Sequence, residues 1–169
     1  MSKLLAVDPG VRGCGVAFFN GDILLNATYI ENPFFTGSRV REAVHLAHAV
    51  STWAFTKGLY FDLAVEVPRV YPAARQKGDQ NDLIAVAGVA FAVGAKTAGF
   101  ITTYYPREWK GTIDPDAMIE RIKGRLSPAE KHRILTVKKS LMHNVYDAIG
   151  IGLKKLGRLE PHRVISRGQ

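Results

Sequence analysis

Cysteine is nearly absent from this sequence of 169 residues. Cys14 is the only one, so the chain can form neither an internal disulfide nor a thiolate zinc site, which favours a reducing compartment. Long hydrophobic runs are also missing, because the longest, from Leu83 to Ala95, is shorter than the roughly 20 residues that cross a bilayer. The first residues lack the pattern of a secretory signal. We therefore expect a cytoplasmic protein with no membrane association.

Acidic residues are fewer than basic ones, 15 against 23, which gives a formal net charge of +8 and a pI near 9.7. The excess is uneven. Residues 1–106 carry nine Lys and Arg against eight Asp and Glu, whereas residues 107–169 carry fourteen against seven. Many small basic proteins bind no polyanion, but a positive charge concentrated in one third of the chain favours contacts with nucleic-acid phosphates.

The chain is long enough for one substantial core and too short for two ordinary domains. We predict a single domain over residues 1–156, followed by a basic, loose tail over residues 157–169. Hydrophobic patterning predicts strands at 3–7, 16–19, 23–30, 63–67 and 100–105, and helices at 39–56, 80–98, from 127 onward and at 143–156. Residues 70–81 read as a polar loop and 111–123 as irregular.

The order of these elements predicts an α/β fold. Three strands joined by short turns form an antiparallel meander, and the later strands, separated by helices, pair in parallel. The expected result is a mixed five-stranded sheet flanked by helices. The helix from Gln80 to Ala98 is apolar on nearly every side and rich in small residues. It should be covered by the sheet on one side and, on the other, by a second copy of the chain.

Three acidic residues occupy positions where a core should not tolerate them. Asp8 ends the first strand, Glu66 interrupts an apolar strand, and Asp147 lies on the apolar face of the last helix. Each alone has an ordinary explanation, as a turn residue, a salt-bridged acid or a paired helix residue. Together they favour a divalent cation, because converging carboxylates repel one another unless a cation compensates them. All-oxygen ligation favours Mg²⁺ or Mn²⁺ over Zn²⁺.

Two further polar residues lie one helical turn before Asp147. His143 precedes it by four residues and Asn144 by three, so both share its side of the helix. His143 could ligate a second metal ion or transfer a proton. An ordinary, partly buried histidine is the simpler explanation for His143 when it is considered alone.

At these residues the sequence resembles the RuvC family of Holliday-junction resolvases, which has the RNase H-like fold. LLAVDPGVRGCGVAFF is similar to that family's first strand and DPG turn, and AVEVPRVYP to its glutamate strand and loop. GVAFAVGA, YYPREWKG, SPAEKHRIL and NVYDAIGIGL are similar to the later family motifs, in the same order. The resemblance covers about residues 3–156.

The resemblance implies that Asp8, Glu66 and Asp147 take three of the four metal-site positions, with two Mg²⁺ ions in the site. The family commonly has an acid, or in some members a histidine, three residues before the last aspartate. Asn144 stands there in this chain, so we expect His143 to be the fourth metal-site and catalytic residue, with Asn144 as the alternative. The departure also suggests a phage-encoded member.

The resemblance further implies a homodimer that binds a four-way DNA junction and cuts it by paired, symmetric nicks, leaving 5′-phosphate and 3′-hydroxyl ends. Lys110 and Lys131 match family lysines near the scissile phosphate. The aromatic residue that opens the junction is best matched by Tyr71, although Arg69 is nearer by position. Further expected DNA contacts are Arg75, Lys77, Arg107, Arg121, Lys123, Arg125 and Arg133.

The sequence is also compatible with three other functions. A related RNase H-like protein could act on an RNA:DNA hybrid, or resemble the YqgF type, which shares the DPG opening. A nucleotide phosphotransferase of the actin and sugar-kinase type also opens with a strand, an acid and glycine-rich turns, but that architecture needs two such domains. A catalytically silent protein could bind junctions without cutting them.

Overall fold

A computed structural model describes residues 2–32, 34–58, 60–69, 79–96 and 99–160. Its centre is one five-stranded sheet in the order β3-β2-β1-β4-β5, in which β1 pairs antiparallel with β2, β2 antiparallel with β3, and β1, β4 and β5 run parallel. The strands are β1 (Lys3–Pro9), β2 (Gly13–Asn20), β3 (Ile23–Glu31), β4 (Asp62–Glu66) and β5 (Ile101–Tyr104). The predicted mixed α/β sheet is confirmed.

Helices cover both faces of this sheet. They are α1 (Arg39–Phe55), α2 (Gln80–Gly94), α3 (Pro106–Trp109), α4 (Pro115–Arg125), α5 (Pro128–Lys131) and α6 (Met142–Lys155), with a 3₁₀ turn at Lys139–Leu141. In the described ranges, no helix combines the length and the apolar character needed to cross a membrane.

Alternation along the strands divides the core into two layers. Leu5 and Val7 of β1 face α1 and α2, where they join Leu46 and Val89. Their neighbours Leu4 and Ala6 face the other way, toward α4 and α6, together with Phe19, Ile122 and Ile149. Successive strand side chains point to opposite faces, so β1 contributes to both layers.

The expectation that residues 111–123 are irregular is wrong, because α4 occupies much of this range. Asp114 caps the helix by accepting hydrogen bonds from the backbone N–H groups of Asp116 and Ala117, and Pro115 takes the first helical position. Met118 and Ile122, four residues apart, are buried against the core. A side-chain cap and an i, i+4 apolar pair therefore stabilise a helix in this range, although its many polar residues obscure the hydrophobic pattern in the sequence.

The loose tail predicted from residue 157 does not begin there. Leu159 is buried, and the Arg158 guanidinium donates hydrogen bonds to both carboxylate oxygens of Glu130 and to the backbone carbonyl of Arg125. Residues 157–160 are therefore packed onto the domain, and residues 161–169 lie outside the described part. The helix predicted to reach Ala98 ends at Gly94, with residues 97 and 98 also outside.

Candidate active site

The first two acidic residues meet at the ends of neighbouring parallel strands. Val7 of β1 pairs with Val65 of β4, so Asp8 and Glu66 follow at the same level of the sheet. Ala6 and Ala64, two residues before each acid, are buried in the layer beneath α6. Because side chains two residues apart share a face, Asp8 and Glu66 both point toward α6.

Close packing of α6 on β2 brings Asp147 to these two carboxylates. Gly15 pairs with Asp8 across β1 and β2. A Cβ atom at Gly15 would lie 1.9 Å from the backbone oxygen of Asn144, so only glycine allows the helix to approach this strand so closely. Asp147 lies one turn further along α6. The three acids predicted from the sequence are thus drawn to one end of the sheet.

Lys110 links two of the three carboxylates. Its Nζ lies 3.1 Å from Oδ2 of Asp147 and 3.7 Å from Oε2 of Glu66. The preceding residue, Trp109, is buried and donates a hydrogen bond of 2.7 Å from its indole Nε1 to the same oxygen of Glu66. Gly150 of α6 makes room for the Trp109 ring. The segment after β5 therefore supplies both a cation and a neutral donor to the acidic group.

The electrostatics of the site are dominated by uncompensated negative charge. Burial raises the pKa of Asp8 well above its ordinary value of 3.8, and the charges of Glu66 and Asp147 raise it further, while Lys110 opposes them. Burial also raises the pKa of Glu66, although Lys110 and the Trp109 hydrogen bond lower it. Burial lowers the pKa of Lys110, but the carboxylates outweigh this and raise it. One ammonium group thus faces three acids.

The donor chemistry of this group fits a hard divalent cation, because carboxylate oxygens are the ligands that such ions prefer and their mutual repulsion disfavours the ionised state. Among the described residues, no three Asp, Glu, His or Cys side chains lie close enough together to hold a metal ion. The Lys110 ammonium lies between two of the acids, where it compensates their charge as a metal ion would. Ligation by all three acids would require it to move.

The structure places His143 and Asn144 differently on the first turn of α6. The side chain of His143 is exposed and forms no hydrogen bond or ion pair with any described residue. Asn144 is half-buried, and its backbone carbonyl contacts β2 at Gly15, beside Asp8. The assignment of His143 as the fourth site residue stays a prediction, with Asn144 held closer to the sheet.

Of the predicted DNA contacts, three lie close to the acids. Lys110 is part of the group itself. Arg107 is exposed one turn before it on α3. Arg69 follows β4, and its guanidinium lies 5.9 Å from the ring centroid of Tyr105, which directly precedes α3. Tyr71, Arg75 and Lys77 fall outside the described residues.

Lys131, in contrast, lies at the other end of the sheet. Glu130 beside it accepts a hydrogen bond from the Leu24 backbone N–H, and Arg133 donates one to the Leu24 carbonyl. Leu24 is five residues along β3 from Tyr29, which is level with Gly15 and Asp8, a distance of roughly 17 Å at about 3.3 Å per residue. Lys131 and Arg133 are therefore not brought to the carboxylates.

The basic residues of α4 are partly used within the domain. Arg121 donates a hydrogen bond to the Leu159 carbonyl, and Lys123 pairs with Glu120 while lying 5.4 Å from the ring of Tyr146. The Arg125 backbone carbonyl accepts from Arg158. Sequence reasoning missed Trp109, whose indole holds Glu66. Its signal was a tryptophan beside the predicted lysine, since a buried indole N–H needs an acceptor.

Comparison with solved structures places this arrangement in a known fold. Thermus thermophilus RuvC in complex with a Holliday junction substrate is 19% identical, with 90% of this chain and 92% of that chain covered and a TM-score of 0.62. A second T. thermophilus RuvC structure is 17% identical, covering 92% and 97%, with a TM-score of 0.56. The yeast mitochondrial Holliday junction resolvase Ydc2 is 13% identical, covering 94% and 82%, with a TM-score of 0.53.

The sheet order and the two helical layers are those of an RNase H-like fold. This fold is similar to those of the RuvC and Ydc2 structures, as the sequence resemblance implied. No family model matches the sequence, and no curated protein matches it. The similar structures come from a bacterium and a mitochondrion and lend no support to a phage origin.

Proposed function

We propose that this chain is a metal-dependent endonuclease that resolves four-way DNA junctions by paired, symmetric nicks, leaving 5′-phosphate and 3′-hydroxyl ends. The observation that carries the proposal is the convergence of Asp8, Glu66 and Asp147 around Lys110 at one end of an RNase H-like sheet. The pattern of motifs and the similarity of the fold to resolvases support the choice of DNA junctions as the substrate.

In this proposal, Asp8, Glu66 and Asp147 hold two Mg²⁺ ions, for which Mn²⁺ can substitute. When bound, such a pair lowers the pKa of an attacking water and stabilises the leaving oxygen. Trp109 keeps the Glu66 carboxylate in one orientation through its indole hydrogen bond. Lys110 leaves the carboxylates and turns to the phosphate, whose negative charge replaces theirs as its partner.

His143 completes the proposed site from the first turn of α6, either as a ligand or by moving a proton. Its exposure leaves the ring free to reach the substrate side. His143→Ala should then lower the cleavage rate by about 10²-fold, the usual contribution of a proton-transfer group, in a single-turnover assay. Asn144→Ala is the matched comparison, and a larger loss in that variant would transfer the role to Asn144.

Paired cuts require two active sites related by a two-fold axis, which a homodimer supplies by symmetry. Helix α2 is the proposed contact. One of its sides packs against α1 and the sheet, whereas Ile84 and Phe91, seven residues apart and thus on one side, are exposed. Two such helices packed together would remove both apolar side chains from water. The single, buried Cys14 is compatible with the proposed cytoplasmic location.

The deciding experiment compares an immobile four-way junction, a linear duplex and an RNA:DNA hybrid of related sequence, each with Mg²⁺ and with EDTA. We expect symmetric, Mg²⁺-dependent nicks confined to the junction. Asp8→Asn should abolish cutting but bind the junction as well as or better than wild type, because it removes a negative charge from a phosphate site. Asp22→Asn, an exposed acid at the β2–β3 turn, is the control for the same change of charge.

Each other result replaces the proposal with a defined alternative. Cleavage of the hybrid in preference to the junction would retain the metal site and change the substrate. Binding of the junction without any metal-dependent cutting would favour a silent junction-binding protein. Full cutting by Asp8→Asn would remove the assignment of the active site.

A further inference from the structure

Beside the acidic group lies a polar cleft of about 340 Å³ that the proposed chemistry does not use. It is bounded by the β1–β2 turn, the end of β3, the loop that follows and the residues just before α6. The side chains that matter here are Arg12, Tyr29, Glu31, Phe35, Lys138 and Ser140.

The cleft is on the same face of the sheet as the carboxylates. Tyr29 of β3 is level with Gly15 of β2, which is level with Asp8 of β1, and Tyr29 packs against the layer beneath α6. Two strand spacings of about 4.8 Å separate Tyr29 from Asp8 by roughly 10 Å. Measured along the axis of a duplex, where successive nucleotides of one strand are about 3.4 Å apart, this corresponds to about three nucleotide steps.

The charged side chains of the cleft are exposed to solvent and form no salt bridge within the described part of the chain. Arg12, Glu31 and Lys138 form no salt bridge with any other described residue. Outside the cleft, by contrast, Arg39 forms a salt bridge with Glu42. The cleft therefore offers two positive side chains and one negative side chain to a ligand that carries both a negative charge and hydrogen-bond donors.

The charges that line the cleft also act on the Tyr29 phenol. Burial raises the pKa of Tyr29, the charges of Cys14, Glu31 and Asp8 raise it further, and Arg12 lowers it. The Tyr29 hydroxyl is thus within range of both the cleft charges and an active-site acid.

Two aromatic residues, Tyr29 and Phe35, line the cleft, and specific contacts hold them there. The Tyr29 ring packs over Gly13, where a Cβ atom would lie 2.5 Å from the ring's Cζ. Phe35 is 64% exposed. Its loop is anchored by Asn32, whose Nδ2 donates to the Glu42 backbone carbonyl and whose Oδ1 accepts from the Phe34 N–H. Aromatic faces beside cations are the features that bind single-stranded nucleotides.

We propose that this cleft holds a nucleotide of the cut strand about three steps from the scissile phosphate. Arg12 and Lys138 contact its phosphate, and Phe35 and Tyr29 stack against its base. Glu31 accepts a hydrogen bond from an exocyclic amino group, which favours cytosine over thymine at that position. This assignment rests on the proposed function, because it takes the acidic group as the point of cleavage.

The first test measures the affinity for a labelled four-way junction in EDTA, which prevents cutting. Arg12→Gln and Lys138→Gln should each raise Kd by roughly threefold to tenfold and reduce the slope of log Kd against log salt by about one, as expected for a lost phosphate contact. Lys155→Gln removes the same charge at the other end of α6, about 20 Å away, and should change Kd less than about twofold. Equal behaviour of all three variants would overturn the cleft assignment.

The second test detects the base directly. A fluorescent purine analogue, 2-aminopurine, is placed at successive positions on either side of the cut. Its fluorescence should change on binding at positions about three nucleotides from the cut, and Phe35→Ala should abolish that change, whereas Phe100→Ala, at the opposite edge of the sheet, should not. A change that is absent, or independent of Phe35, would contradict stacking in the cleft.

Specificity provides a third readout. Wild type should cut junctions with cytosine at the contacted position faster than junctions with thymine, and Glu31→Gln should reduce that ratio while still cutting both. A ratio that Glu31→Gln leaves unchanged would remove Glu31 from recognition.

These outcomes separate the two proposals. If wild type cuts junctions normally and the cleft variants behave like their controls, only the cleft assignment fails. If wild type neither binds nor cuts a junction, the proposed function fails, and the cleft is then tested with a single-stranded oligonucleotide that carries 2-aminopurine. No Phe35-dependent signal with that probe would overturn the cleft as well.

Discussion

Of the three converging acids, Asp8 has the least favourable surroundings. It is partly buried, it faces two other carboxylates, and the nearest cation is already shared between those two. A carboxyl group whose pKa is raised by folding binds its proton more tightly in the folded state than in the unfolded one. Its ionisation therefore destabilises the folded chain.

This environment predicts a pH-dependent gain of stability on removing the charge. In EDTA, wild type should lose stability through Asp8 as the pH rises from about 4, its ordinary range, through its raised value in the folded chain. The Asp8→Asn variant does not lose stability in this way, because asparagine does not ionise. Its thermal midpoint should therefore exceed that of wild type by several degrees at pH 7 and match it near pH 4.

Thermal unfolding followed by circular dichroism across that pH range checks this expectation. Asp22→Asn provides the comparison, since it removes an exposed acid and should give no such trend. With saturating Mg²⁺ at pH 7, wild type should have the higher thermal midpoint, because the ion stabilises only the protein that can bind it. A lower midpoint for Asp8→Asn in EDTA at pH 7 would contradict the charge repulsion described above.

Lys110 is expected to have two roles that one substitution separates. Without metal it compensates Glu66 and Asp147, so Lys110→Gln should lower the thermal midpoint in EDTA. Added Mg²⁺ should restore most of that loss, while single-turnover cleavage should remain slower by about 10²-fold. Lys131→Gln is the matched lysine variant away from the site. If Lys110→Gln is as stable as wild type in EDTA, the ammonium does not take the place of a metal ion.

At the scale of secondary-structure elements, the site depends on how closely α6 lies on β2. Gly15 allows this approach, because any side chain there would overlap the Asn144 backbone. Gly15→Ala should therefore push the start of α6 outward, reduce the free energy of unfolding by about 3 kcal/mol and weaken Mg²⁺ binding. Denaturant unfolding and calorimetric titration with Mg²⁺ measure the two effects.

A second glycine supplies the control for that substitution. Gly124 lies in α4, where an added Cβ meets no atom within 4 Å. Gly124→Ala should stabilise the chain by up to about 1 kcal/mol, because alanine favours helix more than glycine does, and should leave Mg²⁺ binding unchanged. If both variants are equally stable, the contact between Gly15 and α6 is not as tight as its geometry indicates.

Most elements were predictable because their hydrophobic periods are regular. The strands around Val7, Phe18 and Val65 alternate or are continuously apolar, and α6 has a clear apolar face, so the acids that interrupt them were recognisable. α4 was missed because only Met118 and Ile122 are buried among its many charged residues. Its cap, Asp114 before Pro115, carried the signal that periodicity lacked.

The second lysine shows a different limit of sequence reasoning. Lys110 and Lys131 both lie in basic segments that resemble family motifs, but their positions in space depend on tertiary contacts. Lys110 follows a buried tryptophan that is fixed against Glu66, whereas Lys131 follows Glu130, which binds the Leu24 backbone. Local sequence does not contain those long-range contacts. The involvement of Trp109 was missed for the same reason.

At the scale of the whole molecule, the proposed dimer can be tested without affecting the core. Phe91 is 67% exposed on α2, so Phe91→Glu should fold normally yet place a charge in the proposed contact. Light scattering should give about twice 18.6 kDa for wild type and the monomer mass for the variant. Paired cutting should fall to single, uncoordinated nicks.

Tyr60→Glu is the corresponding control, because Tyr60 is also highly exposed but lies in the segment before β4. It should remain dimeric. If Phe91→Glu remains dimeric and cuts in pairs, α2 is not the contact. A monomeric wild type would require another explanation for any symmetric cleavage.

The crossing of α6 over β1 and β2 also determines when the three acids come together during synthesis of the chain. Asp8 and Glu66 leave the ribosome early, whereas the helix that carries Asp147 follows after all five strands have been made. Until α6 arrives, Leu4, Ala6 and Phe19 lack the helix that carries much of the core on their side of the sheet. An unfinished chain therefore carries two of the three acids without the third, so the proposed metal site is completed only when α6 has been made and has packed onto the sheet.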